Sequence, residues 1–247
     1  MRATARRLGL GRLRDRVQSS VYASPLWTAF PPRRLKDLDL TQTLPSNAIA
    51  LTFDDGPDPV VTPRLLRVLE SHAAPATFFM CGLAAQRHPD LVRAVLAAGH
   101  AIGAHSWDHR HKILRDLPDA EWRRQIDDTH ALLADLSGTA VRWFRPPRGI
   151  TDRHTWTKLR RQGITTVLWS IDGWDCTLRD PGEVADGVLS KLTRGEVALL
   201  HDANANYLFS TDRPPYGEIG NQESTIQATD IVLRAARERG LQPVSLV

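Results

Sequence analysis

Two adjacent carboxylates, Asp54 and Asp55, follow the apolar run Ala48–Phe53 and precede Gly56-Pro57. Neighbouring carboxylates repel, which is costly unless a cation or a division of roles resolves it. An Asx turn before Gly-Pro accounts for one Asp, but not for a pair after an apolar strand. A second cluster, His105-Ser106-Trp107-Asp108-His109, follows His100–Ala104. Histidines four residues apart can face the same way on one helical turn and chelate a divalent metal. Alone, the pair is weak evidence, because the chain holds nine His and His111 forms a competing pair with His109. Joined to an Asp at a neighbouring strand end, two His and one carboxylate make an open catalytic ligand set, with positions left for water and substrate.

Three further segments carry polar groups after apolar runs. Arg145-Pro146-Pro147-Arg148-Gly149 is a loop stiffened by two prolines. It can aim Arg145 at a carboxylate and present a backbone N–H to an oxyanion; the plainer reading is a rigid turn with both Arg solvated. Asp172-Gly173-Trp174-Asp175-Cys176 follows Thr165–Trp169, and His201-Asp202 follows Val197–Leu200. A His at a strand end is a general acid if an Asp fixes its ring and raises its pKa; otherwise it is structural.

The elements that must position these groups alternate. Ala48–Phe53, Ala76–Met80, His100–Ala104, Val141–Phe144, Thr165–Trp169, Val197–Leu200 and Pro243–Leu246 read as buried strands. Thr62–His72, Pro89–Ala98, Asp119–Leu136, Thr151–Gln162, Gly182–Leu192 and Ser224–Arg239 read as helices. The alternation predicts an α/β fold with a parallel sheet and helices outside it, about seven units that could close into a barrel. Parallel α/β folds build sites at the C-terminal ends of strands, where the polar clusters lie. The long connection Asp202–Glu223 reads equally as a substrate-covering lid or a surface insertion.

The chain has 247 residues, 42% hydrophobic and 24% charged, which excludes a disordered or collagen-like protein. Two cysteines, Cys81 and Cys176, exclude a disulfide framework. No apolar run approaches the roughly 18–20 residues of a membrane span. The net charge of +4 is uneven: residues 1–36 hold nine Arg/Lys against one Asp. Residues 1–46 thus read as a basic arm and linker, and 47–247 as the catalytic body. The arm is a solvated extension or a membrane-surface contact. The net-acidic body argues against a nucleic-acid partner. Arg12, Asp15 and Arg16 interrupt the apolar segment that a secretion signal needs, so a cytoplasmic location is expected.

The ordered motifs from Thr52 to His201 resemble the polysaccharide deacetylase family, the NodB-homology domains of carbohydrate esterase family 4. Thr52-Phe53-Asp54-Asp55-Gly56-Pro57 is the most specific of them. The resemblance implies a distorted (β/α) barrel of about seven parallel strands. It also implies a divalent metal, most commonly zinc with cobalt possible, held by Asp55, His105 and His109. Asp54 would be the general base, oriented by Arg145. His201 would be the general acid, supported by Asp175. Leu199 would line the acetyl pocket, and the Arg148 backbone N–H would complete an oxyanion hole. The implied reaction removes an acetyl group from an N-acetylated saccharide or glycoside.

Two positions depart from the family pattern. Arg148 stands where Tyr is usual, and Cys176 where Trp is usual; Trp174 would replace that aromatic in the sugar groove on a different vector. Alternatives are hydrolysis of a non-sugar amide or cyclic amide, and a catalytically inactive carbohydrate-binding protein. Against the latter, Asp54, Asp55, His105, His109 and His201 are all present.

Overall fold

In the computed structural model of the chain, the described residues are 33–40, 42–110, 114–177, 180–205 and 220–247. The basic arm up to residue 32, His111 and residues 206–219 of the suggested lid lie outside them. The described strands are β1 (Ala48–Asp54), β2 (Thr77–Met80), β3 (Ala101–Ala104), β4 (Trp143–Phe144), β5 (Thr165–Thr166), β6 (Ile171–Asp172), β7 (Val197–His201) and β8 (Gln242–Pro243). All pairings among them are parallel, in the order β5-β4-β3-β2-β1-β7-β6, with β8 beside the start of β1. This is the cyclic order of a barrel left open between β5 and β6: a curled, incompletely closed sheet of seven strands plus a short eighth. The helices are α1 (Val61–Ser71), α2 (Gly82–Arg87), α3 (Pro89–Ala97), α4, α5 (Arg153–Arg161), α6 (Pro181–Leu189) and α7 (Gly220–Glu238). Helix α4 runs from Asp119–Trp122 through a π-helical Arg123–Asp127 into Asp128–Ser137. No described helix is long and apolar enough to cross a membrane.

The two-residue period of a strand sorts side chains between two cores. Ile49, Leu51, Phe53, Phe78, Met80, Ile102, Phe144 and Leu200 face outward into the helix layer. Ala50, Phe79, Trp143, Val167 and Val197 face inward. On β1 the inward series continues to Thr52 and Asp54, and on β7 to Leu199 and His201. The register pairs Thr52 with Leu199 and Asp54 with His201. Alternation thus delivers a carboxylate and an imidazole to the same end of the same inner face.

Three expected strands are cut short, Val141–Phe144 to Trp143–Phe144 among them, and the other two for a visible reason. Thr165–Trp169 pairs only through Thr166, because the next carbonyls, Val167 O and Leu168 O, accept from the Arg145 guanidinium at 3.2 and 3.3 Å. The C-terminal strand pairs over Gln242–Pro243 and then leaves β1, so that Val244 and Leu246 fill the bottom of the inner core. There the Trp143 indole donates to Leu246 O at 2.9 Å. Part of the segment read as linker also packs: Leu35 and Leu38 are buried in the inner cluster, and Leu35 N donates to Gly195 O.

Candidate active site

A cavity of 320 Å³ opens at the C-terminal ends of the strands. It is lined by nine of the ten residues singled out from the sequence: Asp54, Asp55, His105, His109, Arg148, Trp174, Asp175, Leu199 and His201. The tenth, Arg145, lies fully buried behind Asp54.

Asp54 and Asp55 would point to opposite faces in a continuing strand. Asp55 instead adopts φ 79°, a left-handed conformation that Asp tolerates better than most residues, and its carboxylate turns back into the cavity. The two acids then have separate partners. Asp54 Oδ1 accepts from Arg145 Nη1 at 2.7 Å, and the same Nη1 reaches Thr52 Oγ1 at 2.8 Å. The guanidinium carbon sits 4.1 Å from the centre of the Phe79 ring. Burial pulls the Arg145 pKa down, and the Asp54 charge opposes that pull.

Asp55 Oδ2 accepts from Ala205 N at 2.9 Å, but Oδ1 is buried without a hydrogen-bond partner. That orphaned oxygen lies 3.4 Å from His105 Nε2 and 3.6 Å from His109 Nε2. Two metal–ligand bonds of about 2.0–2.2 Å meeting at a tetrahedral angle separate their donor atoms by about 3.4 Å. The three residues therefore fit a divalent cation. Burial raises the Asp55 pKa, but the close approach of His105 and the charges of His109 and His201 outweigh it, holding the carboxyl well below its usual range. His109 is pushed down to about 4, chiefly by burial. His105 Nδ1 donates to Arg145 O at 2.7 Å, which fixes the tautomer and leaves the Nε2 lone pair facing Asp55.

The helical turn expected across His105–His109 is not there. The segment is a loop in which Ser106 and His109 have φ of 61° and 58°. The positive φ values bring the rings to 5.0 Å between centroids. The π-helical part of α4 supports this loop: buried Gln125 accepts from Trp107 N at 3.0 Å and donates to Asp108 Oδ1 at 3.0 Å.

His201 stands at the end of β7. Its backbone N donates to Asp175 Oδ2 at 2.7 Å and its Nδ1 pairs with Asp175 Oδ1 at 2.8 Å. Thr225 of α7 donates to the same Asp175 Oδ2 at 2.7 Å. Burial alone would lower the His201 pKa, but Cys176 and the Asp175 carboxylate carry it well above its ordinary value. Arg148 has φ 59° and an exposed side chain, and Trp174 has φ 57° and is half-buried.

Sequence reasoning missed several neighbours. Asp202 is buried, accepting from Gly56 N at 3.2 Å and Thr62 Oγ1 at 2.6 Å. A Cβ on Gly56 would fall 2.1 Å from Asp202 Oδ2, so only glycine admits this brace. The signal for Asp202 was its place directly after His201; Thr225, on a helix remote in sequence, left none.

Comparison with known proteins agrees with this geometry. The chain is 32% identical over 212 residues to a chitooligosaccharide deacetylase of Sinorhizobium fredii, covering 83% of this chain and 95% of that protein. It is 33% identical over 197 residues to the peptidoglycan-N-acetylglucosamine deacetylase PgdA of Listeria monocytogenes, covering 80% of this chain but 41% of the relative. Its fold superposes on the family 4 carbohydrate esterase of Streptomyces lividans, solved with acetate, with TM-score 0.69 and 28% identity, over 81% of this chain and 93% of that one. Residues 41–167 match the family model described as polysaccharide deacetylase. With inner-face Asp54 and His201, a convergent Asp–His–His set and a matching fold, the chain belongs to the polysaccharide deacetylase family.

Proposed function

We propose that the protein is a metal-dependent hydrolase that removes the acetyl group from an N-acetylated amino sugar in an oligosaccharide or glycoside, releasing acetate. The observation that carries this reading is the division of labour between the adjacent carboxylates. Asp55 aims an orphaned oxygen at two imidazoles, while Asp54 is committed to Arg145. The relatives' names support an acetylated saccharide as substrate.

Asp55, His105 and His109 would hold the cation, zinc or cobalt, which when bound would supply Lewis acidity toward the amide carbonyl and lower the pKa of water. Arg145 occupies Asp54 Oδ1 and leaves Oδ2 to take a proton from the attacking water. The backbone N–H at Arg148 is the donor for the developing oxyanion. Leu199 receives the acetyl methyl. His201 Nε2 gives its proton to the departing nitrogen as the C–N bond breaks, and Asp175 holds the ring by Nδ1. Water and amide thereby become acetate and a free amine, with one proton accepted at Asp54 and one delivered from His201.

The test is acetate release from N-acetylated chitooligosaccharides with zinc or cobalt added, against a chelator control. Chelator-sensitive release supports the reading. A metal-loaded protein that releases no acetate from chitooligosaccharides or peptidoglycan fragments refutes it.

A further inference from the structure

We infer that Arg148 makes the enzyme selective for an acidic N-acetylated saccharide, one that carries a carboxylate or a phosphate on the acetylated sugar or on its neighbour. The inference rests on the deacetylase reading above and names the substrate class of that same site. Arg148 is the only Arg or Lys among the described residues that line the cavity. Its side chain is exposed, and among the described residues it has no ion-pair or hydrogen-bond partner. The acids of the same wall are already engaged. Asp54 accepts from Arg145 Nη1 at 2.7 Å, Asp175 pairs with His201 Nδ1 at 2.8 Å, and Asp55 faces the two imidazoles. Asp172 Oδ1 accepts from Trp174 N at 2.8 Å. A guanidinium left unmatched in a concave site attracts an anion, and its planar fork takes a carboxylate or phosphate through two parallel hydrogen bonds.

The backbone fixes where this charge stands. Pro146 and Pro147 set their own φ, and Gly149 N and Ile150 N close the turn on Pro146 O and Pro147 O at 2.9 and 3.2 Å. Gly149 has φ 67°, and a Cβ there would fall 2.6 Å from Trp169 Cη2, so the turn is seated directly on an indole that also lines the cavity. Arg148 is held between them at φ 59°. Its charge reaches the centre of the site: His109, whose pKa is lowered chiefly by burial, is lowered further by His105 and Arg148. Arg148 thus plays two parts. Its backbone N–H addresses the acetyl group, while its side chain extends three methylene groups farther and addresses the rest of the saccharide. A tyrosine, usual at this position, keeps the backbone donor and removes the charge. The anion is remote from the reacting carbon, so it adds equally to the binding of substrate and transition state and shows in KM rather than kcat.

The experiment compares acetate release by the zinc-loaded full chain from matched probes, with chitotetraose as the neutral reference. A hyaluronan tetrasaccharide places a carboxylate on the neighbouring sugar, a 3-O-lactyl ether of N-acetylglucosamine places it on the acetylated sugar, and N-acetylglucosamine 1-phosphate replaces it by phosphate. Each has a neutral counterpart, the methyl ester for the carboxylates and the methyl glycoside for the phosphate. At least one acidic probe should exceed its counterpart about 10–100-fold in kcat/KM, the range of a charged hydrogen bond, with the difference carried by KM. In the unaltered protein that advantage should shrink as salt is raised from about 0.05 to about 0.5 M, a readout that needs no variant. Within Arg148→Gln and Arg148→Tyr the acidic-to-neutral ratio should fall to near one, whatever their absolute turnover, and Arg148→Lys should keep part of it. A ratio near one for all three acidic probes in the unaltered protein, an advantage that salt does not reduce, or a ratio that survives Arg148→Gln overturns the inference and leaves the deacetylase reading standing. No acetate from any probe, neutral or acidic, with metal bound, overturns the deacetylase reading and this inference with it.

Discussion

Replacing Arg145 by methionine tests the core of the site more sharply than any change to the acids themselves. Arg145 is wholly buried and its side chain makes four hydrogen bonds: to Asp54 Oδ1, Thr52 Oγ1, Val167 O and Leu168 O. Methionine can lie against Phe79 and Trp169, whose rings the guanidinium now covers, but it leaves the buried Asp54 charge without its cation. Removing one member of a buried ion pair costs about 3–5 kcal/mol, because the surviving charge stays desolvated. For a body of this size each kcal/mol moves the melting temperature by roughly 2–4 °C, so Arg145→Met should melt about 6–20 °C lower. The assay is urea unfolding of chelator-stripped protein, read by tryptophan fluorescence, for Arg145→Met, Asp54→Asn and the double variant. Each single change strands a partner, whereas the double change removes both charges. The double variant should therefore be more stable than the sum of the single losses by at least about 1.5 kcal/mol, the lower range for a charged hydrogen bond. A loss under about 1 kcal/mol for Arg145→Met, or strictly additive losses, would falsify the view that this pair organises the site.

Three other expectations follow from the same geometry. Asp54→Asn should lower turnover by about 10²–10⁴ while metal content, measured by elemental mass spectrometry, stays at one equivalent; His105→Ala should lose the metal, and a metal-free Asp54→Asn would reverse the assigned roles. Gly56→Ala should destabilise the fold by about 1–3 kcal/mol in thermal melts, because its Cβ would sit 2.1 Å from Asp202 Oδ2; an unchanged melt would mean that the Asp202 brace is not rigid. Burial, opposed by the Thr62 hydrogen bond and reinforced by the Asp58 and Asp55 charges, raises Asp202 to about 7. The folded protein thus retains a proton that the unfolded chain releases above its ordinary value of 3.8. That contribution to stability is complete below 3.8 and is lost as pH rises through about 7. Asparagine mimics the protonated acid, so metal-free Asp202→Asn should gain on the unaltered protein as pH rises from about 4 to about 7 and level off above that; a pH-independent difference in melting temperature over this range would contradict this.

Much of this architecture was legible in the residues. The run Ala48–Phe53 shows its strand through continuous apolar character, and the acids after it mark the strand's C-terminal end. The alternation of runs and amphipathic stretches carries the parallel sheet. What stayed hidden depends on three-dimensional partners. The two-residue strand Ile171–Asp172 has no pattern of its own and exists through pairing with β7. The early end of β5 depends on a guanidinium that arrives from β4. Helix α2, six residues long, is too short for a clear period. In the site, residue types were readable but backbone signs were not. His105 and His109 meet through positive φ at Ser106 and His109, not through a helical turn. Spacing alone could not distinguish the two, because both solutions bring residues four apart together.

The π-helical turn in α4 has a consequence for how such a site can change. A π turn holds one more residue than the α-helical turn it replaces, and each residue of an α-helix advances by about 100°. Deleting Asp127 would let α4 run regularly and keep Leu133 in the core. Trp122 and Gln125 would then swing round the axis, and Gln125 would no longer face the backbone N–H of Trp107. The histidine loop would lose its brace although both histidines kept their identity. The site is therefore encoded partly as a length. A chain could carry all of its motifs unaltered and still be out of frame with its own histidine loop by a single residue.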